Sequence, residues 1–297
     1  MKDFFKAGFY LSLLLITFLF TNCDNEPEPT SVLQLVTNTG QNYVSEDRTL
    51  PGGTPVITGV YAEASSADQS LTKFTVTFYH DSTDKKVPEM IYLDSTLAPQ
   101  TNTFAMLVPY VPRNQVNREI WKFTITDSKG KVFQKIINLK TTSGNTNNST
   151  IYTYTKVLLS RTKNQSNTLD SLGFIGFNSA TGTSFPAYAA KQPMINKQID
   201  IFFNKSGTSK PSLSLANAKG DSLRLTTLTS PQFDNINNVR DLNSAYPVTD
   251  MPYSTIENLQ PNQILAFKTV ANKVGLLRIN TVYKTLDSLA FDVKVQK

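Results

Sequence analysis

Residues 120–139 read Ile-Trp-Lys-Phe-Thr-Ile-Thr-Asp-Ser-Lys-Gly-Lys-Val-Phe-Gln-Lys-Ile-Ile-Asn-Leu and carry the clearest structural signal in the chain. Trp121, Phe123 and Ile125 alternate with polar residues, and successive side chains of a strand point to opposite faces. The three apolar residues therefore share one face, which predicts that Trp121 lies in a core. Asp127-Ser-Lys-Gly130 then predicts a hairpin turn, because its glycine readily takes the positive φ that other residues avoid. The apolar residues that follow return as the partner strand.

The same period of two recurs throughout residues 31–143 and predicts seven strands. They are Val32–Thr37, Pro55–Ala64, Leu71–Tyr79, Val87–Ser95, Thr101–Val108, Arg118–Asp127 and Lys131–Thr142. Seven short strands separated by turn signals are typical of an immunoglobulin-like β-sandwich. The order of aromatic strand, Asp-Ser-Lys-Gly turn and returning strand also resembles the last hairpin of bacterial Ig-like modules. This segment contains no cysteine, so the two sheets must be held together by packing alone.

A polar segment separates this module from a second one. The run Thr141–Thr150 has no apolar residue, and we place a linker at residues 144–150. Residues 151–297 again predict strands and a second β-sandwich, larger and jelly-roll-like, with a short helical turn near Thr255. The eight predicted strands are Ile151–Ser160, Leu172–Asn178, Gln198–Phe203, Ser212–Ala216, Ser222–Leu228, Gln263–Val270, Val274–Tyr283 and Leu289–Gln296. In the last strand, Asp292 and Lys294 point away from the apolar face.

The first 30 residues predict export and lipid attachment. Lys2 and Lys6 precede a 12-residue apolar stretch, which as a helix rises about 18 Å and falls short of the roughly 30 Å hydrocarbon core. Residues 1–22 are therefore predicted to be a signal peptide. The lone Cys23 that follows resembles the lipidation site of Bacteroidetes-type lipoproteins. The acidic tether at residues 23–30 resembles their surface-export signal.

This resemblance implies a palmitate-type lipid anchor on Cys23. It also implies a location in the outer membrane, facing the cell exterior, with the periplasmic face as the alternative. The stretches Gly176–Phe185, Ile199–Phe203 and Ile264–Ile279 similarly resemble C-terminal modules of Bacteroidetes surface lipoproteins, many of which have no assigned activity.

Composition excludes several classes of protein. One cysteine and one histidine exclude a disulfide scaffold, a cysteine-cluster metal site and a multi-histidine zinc centre. We expect no metal and no cofactor. Residues 23–149 carry a formal charge of −2, and residues 150–297 carry one of +7. The positive charge of the second half suits binding to an anionic polysaccharide or an anionic cell surface. The lysines are scattered along the chain and form no nucleic-acid motif, so we expect no nucleic-acid partner.

No catalytic constellation is evident in the sequence. There is no Gly-x-Ser-x-Gly, no P-loop and no clear carboxylate pair for glycoside hydrolysis. The single histidine, His80, follows a strand beside Asp81 and is expected to be solvated. Asp200 differs from the other acidic residues because it lies between two isoleucines inside a predicted strand. We therefore predict that the protein is not an enzyme.

Binding and modification sites are predicted from aromatic and Asp-Ser patterns. Aromatic residues outside clean core alternation are candidates for stacking on sugar rings, with the alternative that they only pin loops onto the sandwich. They are Phe185, Tyr188, Tyr246 and Tyr253. Five serines resemble the O-glycosylation acceptors of the same bacterial group, although Asp-Ser also starts turns for local reasons. They are Ser82, Ser95, Ser171, Ser222 and Ser288.

These patterns predict an all-β, non-enzymatic surface lipoprotein. It would act as a glycan-binding or adhesive accessory to outer-membrane uptake, with polysaccharide or an importer or adhesin component as partner. The alternative is a structural or assembly lipoprotein that binds a protein partner through its sandwich edges. An enzyme such as a glycoside hydrolase ranks third.

Overall fold

Strands dominate the fold, as the alternating pattern predicts. The computed structural model describes residues 30–37, 42–81, 88–114, 117–142, 150–160, 173–206, 210–215, 223–247, 251–283 and 288–297. The strands form two sandwiches, one before and one after the predicted linker. The all-β prediction is confirmed.

The first sandwich has eight strands in two sheets. They are β1 Val32–Val36, β2 Arg48–Pro51, β3 Val56–Glu63, β4 Leu71–Asp81, β5 Met90–Thr96, β6 Thr103–Tyr110, β7 Asn117–Asp127 and β8 Val132–Thr142. A three-stranded sheet of order β1-β3-β6 lies against a five-stranded sheet of order β2-β8-β7-β4-β5. Only β2, which runs parallel to β8, departs from antiparallel pairing within these two sheets. Two packed sheets of short, mainly antiparallel strands are the architecture of immunoglobulin-like sandwiches.

All seven strands predicted for this sandwich are present, and the turn glycine Gly130 has a φ of 77°. The sequence does not predict strand β2, because Arg48–Pro51 has four residues and ends in proline, which is too short for alternation to be detected. Its pairing with β8 depends on a neighbour that is distant in sequence.

Trp121 is the centre of the first core, as its alternation predicts. Its ring is stacked against Phe78 and Tyr110, with centroids 4.6 Å and 4.0 Å away, and meets Tyr92 edge-on at 4.9 Å. Phe78 and Tyr92 belong to β4 and β5, whereas Tyr110 ends β6 in the opposite sheet. Stacked aromatic rings thus join the two sheets in the absence of a disulfide.

The second sandwich has ten strands. They are β9 Ile151–Ser160, β10 Phe174–Asn178, β11 Thr183–Pro186, β12 Ile201–Ser206, β13 Lys210–Leu215, β14 Arg224–Leu225, β15 Thr255–Ile256, β16 Ile264–Lys268, β17 Val274–Tyr283 and β18 Ser288–Gln296. Two five-stranded sheets, β11-β10-β12-β13-β15 and β14-β16-β17-β18-β9, enclose a core that includes Phe177, Phe203, Phe267 and Phe291.

Four short helices complete the fold. They are α1 Ala187–Ala190, α2 Pro193–Asn196, α3 Ser230–Asn235 and α4 Val239–Ser244. Helices α3 and α4 pack Phe233 and Leu242 onto the outer face of the β14-β16-β17-β18-β9 sheet, which is therefore covered on both faces. The expected helical turn near Thr255 is wrong, since Thr255–Ile256 is strand β15. The sequence does mark the start of α3, because Thr229 and Gln232 form a capping box.

The core of the first sandwich extends past the predicted linker. Phe185, Tyr188, Ile195 and Ile199 belong to the same apolar cluster as Trp121 and its neighbours. They come from β11, α1, α2 and the approach to β12, and both helices contact β5. These four residues of the second sandwich pack into the core of the first. We call this contact between the two sandwiches the seam.

Candidate functional site

A cleft of about 220 Å³ opens beside the seam, where several connections of the second sandwich converge. Its walls are the turn at residues 179–182 between β10 and β11, the segment 198–200 before β12, and the turn at residues 269–273 between β16 and β17. The last residues of β18 close its base. It is called the cleft below.

Asp200 joins two of these walls. Its carboxylate accepts hydrogen bonds from the Ser179 amide at 2.8 Å and the Ser179 hydroxyl at 2.6 Å, and from the Val270 amide at 2.8 Å. Burial raises the pKa of Asp200, and the hydrogen bonds oppose that rise without cancelling it. Both carboxylate oxygens are engaged as acceptors, so Asp200 holds the cleft in shape.

Gly182 fixes the turn that carries Ser179. Its φ is 69°, and a Cβ there would lie 2.6 Å from the Tyr154 ring. Its amide donates to the Asn178 carbonyl at 2.9 Å. Only glycine fits both the backbone conformation and the space, so this residue brings the turn down onto β9.

Three residues of the cleft walls have hydrogen-bonding capacity that no hydrogen bond within the described residues uses. Gln198 donates through Nε2 to the Met194 carbonyl at 3.0 Å, which leaves its Oε1 as an acceptor. Asn178 accepts through Oδ1 from the Ala180 amide at 2.9 Å, which leaves its amide group as a donor. The Lys273 ammonium forms no ion pair with any residue that the structure describes.

A small chamber lies beneath the cleft, and the two share Asn178, Thr181 and Gln198 as walls. The chamber measures about 10 Å³, close to the space of one water molecule. On its other side lie His80 and Glu119 from the first sandwich. The chamber is therefore a feature of the seam and not of either sandwich alone.

Two buried titratable groups meet in this chamber. Glu119 accepts hydrogen bonds from the Arg113 amide at 2.9 Å and from Trp121 Nε1 at 3.0 Å, and burial raises its pKa. His80 Nδ1 lies 3.5 Å from Glu119 Oε1. Burial first, and the charge of Arg113 second, lower the pKa of His80 to about 3. The imidazole is thus neutral near pH 7, and the pair is not a salt bridge.

The expectation that His80 is solvated is wrong, because its side chain is buried. The sequence did contain the signal for both groups. His80 has the same parity as Phe74, Val76 and Phe78 in β4, and Glu119 has that of Trp121 in β7. Equal parity along a strand places residues on the same face, here the inner one.

The predicted sugar-stacking residues are mostly buried. Phe185, Tyr188 and Tyr246 are 3%, 5% and 7% exposed, so the structure corrects the expectation that their rings are accessible. Phe185 and Tyr188 pack against Tyr92 across the seam, with centroids 6.5 Å and 5.8 Å away. These two rings join the sandwiches.

The other two rings lie away from the cleft. Tyr246 is flanked by the cations of Arg224 and Lys268, 5.1 Å and 5.4 Å from its centroid. Tyr253 is 44% exposed and is the one predicted residue that offers a ring face to solvent. The structure does not bring the four rings together.

The predicted modification sites are only partly within the described residues. Ser95 is half-buried in β5, and Ser288, the first residue of β18, is buried. Ser82, Ser171 and Ser222 lie outside the described residues, as do Cys23, the signal peptide and the tether up to residue 29. Among the described residues, no group of histidine, cysteine and carboxylate side chains suits a metal. No helix in those ranges has the length and apolar character to cross a membrane.

Comparisons with known proteins give weak likenesses of fold. No family model matches the chain, and no curated protein matches it. A DUF4466 family protein from Parabacteroides merdae ATCC 43184 is similar with a TM-score of 0.36 and 11% identity, over 91% of this chain and 100% of that one. Murine CRIg is similar with a TM-score of 0.23 and 11% identity, over 38% of this chain and 98% of that one.

The sporulation control protein Spo0M from Bacillus subtilis is similar with a TM-score of 0.24 and 5% identity, over 84% of this chain and 77% of that one. At TM-scores this low, none of the three likenesses carries an inference about function.

Proposed function

We propose that the chain is a lipid-anchored protein of the outer cell surface that binds glycans without transforming them. Cys23 carries the anchor, and the cleft holds the sugar. In this role the protein is an accessory to uptake or adhesion. The observation that carries the proposal is the chemistry of the cleft walls.

The groups available in the cleft suit sugar hydroxyls. The Asn178 amide donates, Gln198 Oε1 accepts and the Lys273 ammonium donates, and the cleft is held open by the Asp200 hydrogen bonds. Its volume of about 220 Å³ lies below the roughly 300–1,000 Å³ of most ligand pockets. We therefore expect one ring or a chain end to be bound. The excess of positive charge in residues 150–297 favours an acidic sugar.

The arrangement of acidic groups favours binding over hydrolysis. Glycosidases need two carboxyl groups on either side of the scissile bond. Among the residues that the structure describes in the cleft walls, Asp200 is the only acidic one, and both of its oxygens are already engaged. A buried, fully engaged carboxylate is poorly suited to attack a sugar or to transfer a proton to it.

Affinity electrophoresis of the full chain in gels containing acidic polysaccharides tests the proposal. We expect retardation that Lys273→Ala and Gln198→Ala each reduce by at least threefold in apparent affinity. Lys129→Ala is the matched control, because it removes the same charge from an exposed turn of the first sandwich. Equal retardation of all variants would show that the glycan binds outside the cleft. No retardation by any polysaccharide would refute glycan binding.

The anchor is tested separately by metabolic labelling with palmitate. We expect label in the wild-type chain and none in Cys23→Ala, which should leave the envelope fraction. An unlabelled wild-type chain would refute the anchor and leave the cleft proposal standing.

A further inference from the structure

Strand β1 forms an edge of the first sandwich that lacks the usual protection against pairing. It lies at the end of the β1-β3-β6 sheet and reads Val-Leu-Gln-Leu-Val, with no charge and no proline. Edge strands are normally guarded by such residues. The opposite edge, β6, contains Pro109, and β2 at the edge of the other sheet contains Arg48 and Pro51. Among these three edges β1 is the open one.

Two of the three outward residues of β1 are also apolar. Val32 and Val36 are 40% and 45% exposed, and Gln34 between them is exposed. Across the sheet, Val36 is in register with Gly59 and then with Leu107, which is also exposed. Leu33 points inward from the same strand and is buried in the first core. A strand added beside β1 would therefore extend both the apolar outer face and the core.

The sequence around Gln34 is symmetric. Residues 31–37 read Ser-Val-Leu-Gln-Leu-Val-Thr, which is the same in both directions except that serine faces threonine at the ends. In an antiparallel pair with a two-fold axis at Gln34, each residue meets its own kind: Val32 meets Val36, Leu33 meets Leu35, and Gln34 meets Gln34. Isologous contacts of this type need a surface that complements itself.

We infer that β1 pairs with β1 of a second copy of this chain, antiparallel and centred on Gln34, so that two three-stranded sheets become one six-stranded sheet. The occupant is a second copy because the open edge complements itself residue by residue. Cross-strand apolar pairs and the two Gln34 amides add side-chain contacts to the backbone ladder. This inference does not depend on the cleft or on the anchor.

Cysteine pairs test both the contact and its register. In the full chain with Cys23→Ser, Gln34→Cys places two thiols directly opposite each other, with Cα atoms about 4.5–5.5 Å apart, within reach of a disulfide. We expect this variant to form a covalent dimer on mild oxidation. Val36→Cys is the matched control on the same exposed face, because its two copies lie about 14 Å apart along the strands and cannot be bridged.

A mixture of Val32→Cys and Val36→Cys chains should crosslink although neither variant does alone. Equal crosslinking of Gln34→Cys and Val36→Cys would overturn the inference, and so would the absence of any Gln34→Cys dimer. A disulfide from Gln34→Cys to a different protein would overturn the choice of occupant.

Sedimentation gives a second, independent measurement. The full chain should sediment as a dimer, and Gln34→Lys should return it to the monomer, because two lysines would face each other at the two-fold axis. Thr103→Lys on the opposite edge, β6, is the control and should leave the dimer intact. A monomeric wild-type chain at tens of micromolar would refute the pairing.

Discussion

The five-stranded sheets β2-β8-β7-β4-β5 and β14-β16-β17-β18-β9 have the same alternation of apolar and polar residues. They differ in whether the polar residues are exposed to solvent. In the first sandwich, the polar alternates Thr75 and Thr124 lie partly exposed on the outer face. In the second, Asp292 and Lys294 occupy equivalent positions in β18 but are buried. Helices α3 and α4 cover that face. Alternation therefore identifies a strand and its two faces, but it does not tell which face meets water.

Buried charges in the second sandwich are satisfied by specific partners. The Lys294 ammonium donates to the carbonyls of Phe233, Asp234 and Ile236 at 2.7–2.8 Å, at the C-terminal end of α3. A cation at a helix C-terminus satisfies carbonyls that have no partner within the helix. Burial lowers the pKa of this lysine. The outer layer is thus attached to the sheet by polar contacts as well as by apolar packing.

Asp292 completes the same arrangement. It accepts from Arg278 and Asn280 at 2.7 Å and from the Lys156 amide at 2.8 Å. Burial would raise the pKa of Asp292, but these hydrogen bonds and the Arg278 charge outweigh burial and lower it. Asp292 and Lys294, both buried in this sheet, therefore each have partners of matching chemistry, which burial requires.

Of the variants considered for the two sandwiches, Trp121→Ala should lower the free energy of unfolding most, because it removes the ring around which the first core is stacked. We expect a loss of about 3–5 kcal/mol in the free energy of unfolding. Urea denaturation monitored by circular dichroism measures the loss. Trp121→Phe keeps an aromatic ring and should lose less than half as much. A loss below 1 kcal/mol for Trp121→Ala would show that ring stacking does not hold the sheets together.

Lys294→Met compares the two sheets directly. The variant removes the ammonium donor from three carbonyls, of which, among the described residues, only that of Phe233 keeps a second donor, the Ile236 amide at 3.2 Å. We therefore expect a loss of about 2–4 kcal/mol in the free energy of unfolding. The same substitution at Lys73, on the outer face of the first sandwich, should cost under about 0.5 kcal/mol. If the two substitutions cost the same, the helix layer does not depend on the buried ammonium.

His80 predicts how the stability of the first sandwich depends on pH. The folded pKa of about 3 lies below the unfolded value of 6.5, so the unfolded chain takes up the proton first on acidification. The contribution of neutral His80 is complete above pH 6.5 and declines as the pH falls toward 3. The resulting loss in the free energy of unfolding between pH 7.5 and pH 5 is roughly 2 kcal/mol.

His80→Gln should remove that contribution. Its unfolding free energy, measured by urea denaturation at each pH, should fall roughly 2 kcal/mol less than that of the wild-type chain between pH 7.5 and 5. The raised pKa of Glu119 acts in the opposite direction but to a similar extent in both chains, so the difference between them reports His80. Parallel pH profiles would contradict the burial of a neutral imidazole.

The exposed ion pair between Lys73 and Asp94 should have the smallest effect. Its atoms are 2.9 Å apart, and both side chains are more than two-fifths exposed. A double-mutant cycle with alanine at both positions should give a coupling free energy of about 0.2–1 kcal/mol, which falls further in 1 M salt. A coupling free energy above 2 kcal/mol would mean that solvent screens this ion pair on the outer face of the first sandwich less than its exposure indicates.

Strand positions were largely predictable, whereas the site was not. The runs at 71–79, 118–127 and 131–142 match β4, β7 and β8 within two residues, because strand periodicity depends on nearest neighbours in sequence. The cleft depends on residues 178–200 meeting residues 269–273, and no local pattern records that meeting. Phe185 and Tyr188 are buried although the sequence around them is irregular, because Tyr92 of the first sandwich packs on both rings.

The sequence by itself determined that the chain is all-β, where most strands begin and end, and that Trp121 faces inward. Those properties follow from side-chain direction along a strand and from turn chemistry, both of which are local. Only the tertiary structure decided that His80 and Glu119 meet, that Asp200 bridges two turns, and that Lys294 lies beneath a helix. Whether the polar face of a sheet is exposed to water depends on which segment, distant in sequence, packs over it. The free energy of that packing comes from contacts throughout the molecule.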